Sequence, residues 1–319
     1  MRNRLLVLTF HRVLPEADAF RRGDITAQTF DRICACLTRF FRVMTLGDAA
    51  HRMRERGTLP DRALTLTFDD GFADNAELAA PILERHGLRA TFFVSTGFLD
   101  GEIMFNDAII EALRTARRDK LDLSQLDSDL SGVRQLDSLQ ARVAASNELA
   151  GALKYRQPAE RLALTRRLAS LVDADDAPSL MMVPDQVAKM AERGLEIGGH
   201  TVNHPILSEL SSEAALEEIR AGRERLQAIT QQRIDSFAYP NGRPGQDYDE
   251  STVDAVEAAG FTQAVTTAWG IARCDDDPLQ LPRVTCWDRR AVTFVPRMLS
   301  YYLRGVRATQ LPRESIAVA

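Results

Sequence analysis

The sequence predicts an α/β fold built on a mainly parallel sheet. Short apolar runs typical of strands recur along the chain, and segments with helical periodicity lie between most of them. Strands that alternate with helices indicate βα units, which join parallel neighbours. The predicted strands are, in chain order, Leu5–Phe10, Ala63–Phe68, Ala90–Val94, Leu195–Gly199, Ile234–Tyr239, Gln263–Thr267 and Val284–Cys286.

The individual elements carry their own signals. Ala63–Phe68 alternates leucine or phenylalanine with threonine, which is the side-chain period of a strand. Asn75–His86 has a helical pattern, and Gly87 follows it as a stop signal. Further helices are expected to begin at Pro184 and after the N-cap Ser211.

One long segment interrupts the alternation of strands and helices. Residues 105–180 show helical periodicity and no convincing strand. We therefore expect one domain over residues 1–319 that carries a helical insertion at 105–180. Insertions of this kind serve as active-site lids, but a scaffold or dimerisation role is equally compatible with the sequence.

The C-terminal segment, residues 292–319, is expected to form an amphipathic helix and a tail. It mixes aromatic and aliphatic residues with Arg297, Arg304 and Arg307. Such a helix can lie on an anionic membrane surface, or it can be a last helix that packs on the core. The apolar run at the N-terminus has six residues, too few for a secretory signal, and no stretch approaches a membrane span. These features favour a cytoplasmic protein, with peripheral contact to a membrane or to glycan-assembly machinery left open.

Composition excludes several classes of protein. Apolar residues make up 45% and charged residues 27% of 319, as in ordinary globular proteins, so the chain is neither disordered nor fibrous. The net charge is −5, and no basic block interleaved with aromatic residues is present, so no nucleic-acid partner is predicted. The four cysteines lack zinc-site spacing and are expected to be free thiols. The oligomeric state is not predictable from these features.

Polar residues with catalytic potential follow the predicted strands. His11, the Asp69-Asp70 pair, His200 and the turn after Tyr239 each come at the carboxyl end of a strand. In a parallel barrel these ends share one face, which is where active sites form. Separate segments would therefore deliver carboxylates and imidazoles to one place.

The carboxylates and imidazoles are of the types that bind a metal ion. Two adjacent buried aspartates need a partner, although an Asp-Asp-Gly sequence on its own also fits an ordinary turn. His200 and His204 lie four residues apart, which puts both on the same side of a helical turn, and imidazole suits zinc. Gly198 and Gly199 before them allow close backbone approach. Two histidines and one aspartate would leave a position for water, as in catalytic rather than structural sites; satisfied loop histidines are the alternative.

These residues resemble the motifs of a known family. Thr67–Gly71 reads T-F-D-D-G and His200–His204 reads H-T-x-x-H, as in the NodB-homology polysaccharide deacetylases, carbohydrate esterase family 4. Ser236–Gly242 is similar to the third motif of that family. The resemblance implies a deformed (β/α) barrel of about seven strands. It also implies a metal-dependent hydrolase that removes N-acetyl groups from an N-acetylated glycan.

The resemblance also implies roles for individual residues. Asp70, His200 and His204 would bind one divalent ion, with zinc expected and cobalt, nickel or iron as alternatives. Asp69 would be the general base toward the attacking water, and the backbone N–H of Tyr239 would help to hold the tetrahedral oxyanion.

The chain departs from the family pattern at two places. Ala238 stands where the family has an arginine that orients the base, and Arg283 is the expected substitute. No histidine follows His204, so the late histidine that serves as general acid is absent. Phe10–Val13 resembles the N-terminal histidine motif of the poly-N-acetylglucosamine deacetylase branch, which makes His11 the expected acid.

Further residues are candidates for contact with a sugar. Flat apolar faces and polar groups near the predicted site are offered by Trp269, Trp287, Phe72, Tyr239, Asn241 and Asn106. The predicted function is carbohydrate N-deacetylation, in exopolysaccharide or glycan-precursor metabolism. The alternatives are a catalytically silent glycan-binding protein, a deacylase or deformylase of a lipid- or nucleotide-linked sugar, and a scaffold for glycan machinery.

Overall fold

Seven parallel strands close into a barrel. The computed structural model describes residues 3–286 and 291–312. The barrel strands are β1 (Arg4–Phe10), β2 (Ala63–Phe68), β3 (Thr91–Val94), β4 (Glu196–Gly199), β5 (Ser236–Ala238), β6 (Gln263–Trp269) and β7 (Leu281–Thr285). Each strand pairs in parallel with the next, and β7 returns to β1. The predicted (β/α) barrel of about seven strands is thereby confirmed.

Helices follow most barrel strands. Their bounds are α1 (Ala27–Phe40), α2 (Leu46–Arg56), α3 (Ala80–Arg85), α4 (Phe105–Arg114), α5 (Leu139–Leu153), α6 (Pro158–Leu171), α7 (Pro184–Glu192), α8 (Ser212–Thr230), α9 (Glu250–Ala258) and α10 (Ala291–Arg304). A π-helical turn, Asn75–Ala79, precedes α3. Short 3₁₀ turns lie at Thr96–Phe98, Leu123–Gln125, Leu207–Glu209 and Pro278–Gln280. As predicted, α7 begins at Pro184, and the Ser211 side chain caps α8 by accepting from the Ala214 N–H.

Short strands extend the barrel wall. Arg42–Val43 pairs in parallel with the amino end of β2, and Ala272–Arg273 pairs antiparallel with the start of β1. A separate two-stranded sheet joins Val13–Leu14 and Ile25–Thr26.

The barrel strands are buried on both faces, because side chains fill the inside of the barrel and helices cover the outside. Every residue of β2 is buried, as expected for a parallel strand with side chains inside the barrel and helices outside. Outside, Phe68 stacks on Phe10 and Phe92 with ring centroids 5.4 and 4.7 Å apart. Inside, Val7 and Phe93 belong to a buried cluster that includes residues of α2. The catalytic candidates are thus mounted on a packed core rather than around a pore.

A second compact unit is formed by residues 17–22 and 101–181. It contains α4, α5 and α6 around its own buried apolar cluster. It also contains an antiparallel pair, Lys120–Asp122 with Val133–Gln135, where the sequence analysis expected no strand. Each strand has three residues, too few for an alternating pattern to be recognised. A buried carboxylate pair, Asp107 and Glu111, binds Arg21 within this unit.

The C-terminal helix α10 packs on the barrel unit through one face. Phe294, Met298 and Tyr302 are buried at successive helical turns, and the ring of Phe294 lies 6.4 Å from that of Phe41. This is the core-packing arrangement, while Leu303 stays 71% exposed. Residues 313–319 of the predicted tail lie outside the described residues. Within the described ranges, no helix is both long and apolar enough to cross a membrane.

Candidate active site and metal centre

Three side chains of metal-ligating types meet at the carboxyl ends of β2 and β4. Nε2 of His200 and Nε2 of His204 each lie 3.4 Å from Oδ1 of Asp70. The candidate ligand atoms of the three residues all lie within 4.8 Å of one another. One carboxylate and two imidazoles are a donor set that fits a divalent ion of the zinc type, with a coordination position left for a further ligand.

The orientation of His200 is set by its second ring nitrogen. Nδ1 lies 2.7 Å from the carbonyl oxygen of Ala238, which directs Nε2 toward Asp70. A carbonyl on the far nitrogen is the usual support for a metal-binding histidine. The preceding glycines are required by close packing: a Cβ on Gly198 would lie 2.5 Å from the ring of Phe93, and one on Gly199 would lie 2.7 Å from Phe261.

His204 is brought to the site by a turn, not by the helical turn that its spacing suggested. Thr201 and His204 both have left-handed backbone, with φ of 65° and 50°, which is uncommon outside glycine and marks local strain. Glu218 of α8 holds this turn: its carboxylate accepts from the N–H groups of Val202 at 3.1 Å and Asn203 at 2.9 Å. Sequence reasoning missed Glu218, because nothing local distinguishes it from the other acidic residues of α8.

The Asp70 carboxylate is held ionised. Burial raises the pKa of Asp70, but the hydrogen bond with His200 and the charges of His11 and His204 outweigh it, so that pKa lies well below its ordinary value. An ionised carboxylate beside two imidazoles is the form that binds a cation. Asp70 itself has a left-handed backbone, φ 77°, and Gly71 follows at φ 92°.

Asp69 is clamped by an arginine from another strand. Arg283 of β7 donates two hydrogen bonds to the Asp69 carboxylate, each 2.7 Å long, and its Nε donates to the carbonyl of Thr266. Both side chains are buried. Burial raises the pKa of Asp69, but the charge of Arg283 outweighs it and holds that pKa below its ordinary value. Arg283 thus contacts the residue that Ala238 is too short to orient.

His11 follows the last residue of β1. Side chains of the loop that follows β2 hold this segment in place. Asn75 donates from Nδ2 to the His11 carbonyl at 2.9 Å. The Asp74 carboxylate accepts from Arg12 Nε at 2.7 Å and from the Val13 N–H at 3.1 Å. Burial raises the pKa of Asp74 above its ordinary value despite the ion pair with Arg12. His11 is exposed, and its charge lowers the pKa of both Asp69 and Asp70.

The backbone N–H of Tyr239, to which the resemblance gave the oxyanion role, is already hydrogen-bonded within the barrel. Its backbone N–H donates to the carbonyl of Val265 at 3.2 Å and is committed to the barrel ladder. Its side chain is fully buried, with the hydroxyl donating to the Leu279 carbonyl and the ring stacked 4.1 Å from Tyr248. It therefore cannot offer a sugar either its N–H or its aromatic face.

Asn241 lies in the turn after β5, two residues beyond Tyr239. It is half-buried, with φ 59°, and its carbonyl accepts from the Thr267 hydroxyl. The Asn241 N–H, at the carboxyl end of β5, has no acceptor within hydrogen-bond distance among the described residues.

The remaining candidates for sugar contact are one buried residue, two exposed residues and one residue outside the described ranges. Phe72 is buried beneath the Arg12 guanidinium, 4.7 Å from the ring centroid, so it offers no open face to a sugar. Trp269 is 45% exposed and meets Tyr301 edge-on. Asn106 is exposed in the first turn of α4, in the second compact unit. Trp287 lies outside the described residues.

Comparison with known proteins agrees with this fold and site. A family model described as polysaccharide deacetylase matches residues 56–264, more than half of the chain. YxkH of Bacillus subtilis strain 168, named as a candidate polysaccharide deacetylase, is 30% identical over 103 residues. That match spans 32% of this chain and about a third of the relative, 36% of its length.

Solved structures of deacetylases share the fold. The deacetylase PplD of Streptococcus pyogenes, solved with acetate, superposes with a TM-score of 0.62 at 17% identity, over 92% of this chain and 98% of that one. IcaB of Ammonifex degensii superposes with a TM-score of 0.58 at 20% identity, over 91% and 96%. At these identities the likeness establishes the fold, whereas the family model establishes descent. On its motifs, its barrel and the extent of that match, the chain belongs to the polysaccharide deacetylase family.

Proposed function

We propose that this protein is a metal-dependent hydrolase that removes N-acetyl groups from an N-acetylated carbohydrate. The observation that carries the proposal is the placement of an arginine-clamped aspartate, Asp69, directly beside the cluster of Asp70, His200 and His204. A general base adjacent to a metal-binding cluster is the arrangement for hydrolysis of an unactivated amide. Family membership supports the same chemistry.

Asp70, His200 and His204 would hold the ion, with zinc expected from the donor set. When bound, a divalent ion there would polarise the acetamide carbonyl and lower the pKa of water. The ionised Asp69 accepts the proton of the attacking water, and Arg283 keeps that carboxylate ionised and oriented. The N–H of Asn241 would donate to the developing oxyanion, because the Tyr239 N–H already donates to the carbonyl of Val265.

His11 is proposed as the acid that protonates the leaving amine. Replacing His11 with glutamine is expected to lower kcat about 10²-fold, because an amine leaves slowly as an anion. Metal content should stay unchanged, since His11 lies outside the ligand cluster. Steady-state rates and metal analysis of the variant check both parts. With an acetanilide whose leaving amine is less basic, the loss should shrink. An equal loss on both substrates would mean that His11 is not the acid.

The proposal is tested by product analysis on a panel of N-acetylhexosamine oligomers, with zinc or cobalt added. We expect acetate release that disappears in His204→Ala together with about one bound metal per chain. Formate in place of acetate would indicate deformylation, and turnover only on lipid- or nucleotide-linked sugars would redefine the substrate. Sugar binding without turnover under any metal would favour the alternative of a catalytically silent glycan-binding protein. Ala238 and the missing late histidine are the two grounds for that alternative. Arg283 removes the first of those two grounds, because it supplies Asp69 with a guanidinium partner.

A further inference from the structure

A cleft of about 710 Å³ opens at the end of the barrel opposite Asp70, His200 and His204. Its walls come from α2, the edge strand Arg42–Val43 and the loop that leads into β3. Arg42 pairs with Ala63 at the amino end of β2, whereas Asp69 and Asp70 follow its carboxyl end. Six residues of strand at about 3.3 Å each put roughly 20 Å between the cleft and the proposed active site.

The cleft is lined with basic side chains, although the chain as a whole carries a net charge of −5. Its lining includes Arg42, Arg52, Arg56, Arg89, His51 and His86. Within the described part of the chain, the lining contains one carboxylate, that of Asp48, and this carboxylate is paired with Arg89 at 2.7 Å. No described carboxylate lies within ion-pair distance of the other three guanidinium groups.

Two of these arginines are spaced so that their charges repel one another. Arg52 and Arg56 lie one helical turn apart on α2 and both face the cleft. Like charges at this spacing destabilise a helix, and the effect is relieved when an anion lies between them. Arg56 also benefits from the last turn of α2, but Arg52 lies before that turn. An anion bound between the two guanidinium groups would remove this repulsion.

We infer that this cleft binds a phosphate-bearing ligand. Guanidinium groups match phosphate oxygens in two-pronged hydrogen bonds, and Arg42 approaches from a different wall than the α2 pair. Phe41, Pro60 and Leu88 add an apolar part to the lining, which suits a phosphate ester with an organic group better than a free inorganic ion. A concave site of this volume suits a discrete soluble ester, and a phospholipid headgroup is the other source of the same chemistry.

The test measures binding of pyrophosphate, of a nucleoside diphosphate and of phosphatidylglycerol vesicles to the full-length protein. Arg52→Gln/Arg56→Gln should weaken binding about tenfold or more, because it removes two of the phosphate donors. The matched control is Arg32→Gln/Arg220→Gln, which changes the net charge equally at exposed sites on α1 and α8. It should bind as the wild type does.

Each outcome decides the inference. Binding of a soluble phosphate that is lost only in the α2 double variant supports it, and loss confined to vesicles supports the headgroup source. Equal weakening in both double variants would reduce the effect to net charge and overturn the inference. So would the absence of binding by any of the three probes. Deacetylation by the α2 variant should be unchanged in assays without phosphate, so failure of the proposed function is recognised separately.

Discussion

Asp69→Asn is expected to lower kcat about 10³-fold while about one metal ion per chain remains bound. The substitution keeps the shape of the side chain but removes the proton acceptor, and a positioned base contributes about 10² to 10⁴ in rate. The metal should remain because Asp70, His200 and His204 are untouched. Rates of acetate release and metal content, measured on the same preparation, check the two parts together.

The neighbouring substitution Asp70→Asn is the matched control. It makes the same chemical change one residue later, but it removes a charged ligand, so we expect loss of metal as well as of turnover. Asp69→Asn also leaves Arg283 without its carboxylate, and a thermal melt must show that the variant is folded at the assay temperature. If folded, metal-loaded Asp69→Asn turned over within tenfold of wild type, the base would lie elsewhere.

The barrel was predictable because most of its strands have a recognisable local sequence pattern. Ala63–Phe68 is an apolar run of the right length, and the structure has it as β2 with the same bounds. The last strand was expected at Val284–Cys286 and runs instead over Leu281–Thr285. Pro282 obscured its start, since proline within a run is a signal against a strand.

The site was predictable where its residues follow strands and unpredictable where it depends on register. Asp70 and His200 meet because parallel strands end on one face. Whether the N–H of Tyr239 or of Asn241 is available depends on which N–H the neighbouring strand uses, and a motif does not contain that information. Glu218 and Asp74 act through contacts far along the chain, which leave no local pattern.

Arg283→Met is expected to lower the free energy of unfolding by about 3–5 kcal/mol. The substitution leaves the buried Asp69 carboxylate without a partner, and breaking a buried ion pair from one side has a cost of this size. The double variant Asp69→Asn/Arg283→Met should recover much of the loss, because neither charge of this pair remains. Arg32→Met, an exposed arginine of α1, is the control and should lie within about 0.5 kcal/mol of wild type.

The pH dependence of unfolding separates this explanation from a simple packing defect. In the wild type the pKa of Asp69 is lowered, so its stabilising contribution is present above its ordinary pKa and is lost as pH falls through the folded value. In Arg283→Met the largest charge that offsets burial is removed, so we expect the pKa of Asp69 to rise and protonation to relieve the buried charge. The difference in stability between the two proteins should therefore narrow as pH falls from 7, first as protonation relieves Asp69 in the variant and then, below about 4, as the wild type loses its own contribution. A packing defect would keep that difference constant with pH, and chemical denaturation at pH 7 and pH 4 distinguishes the two results.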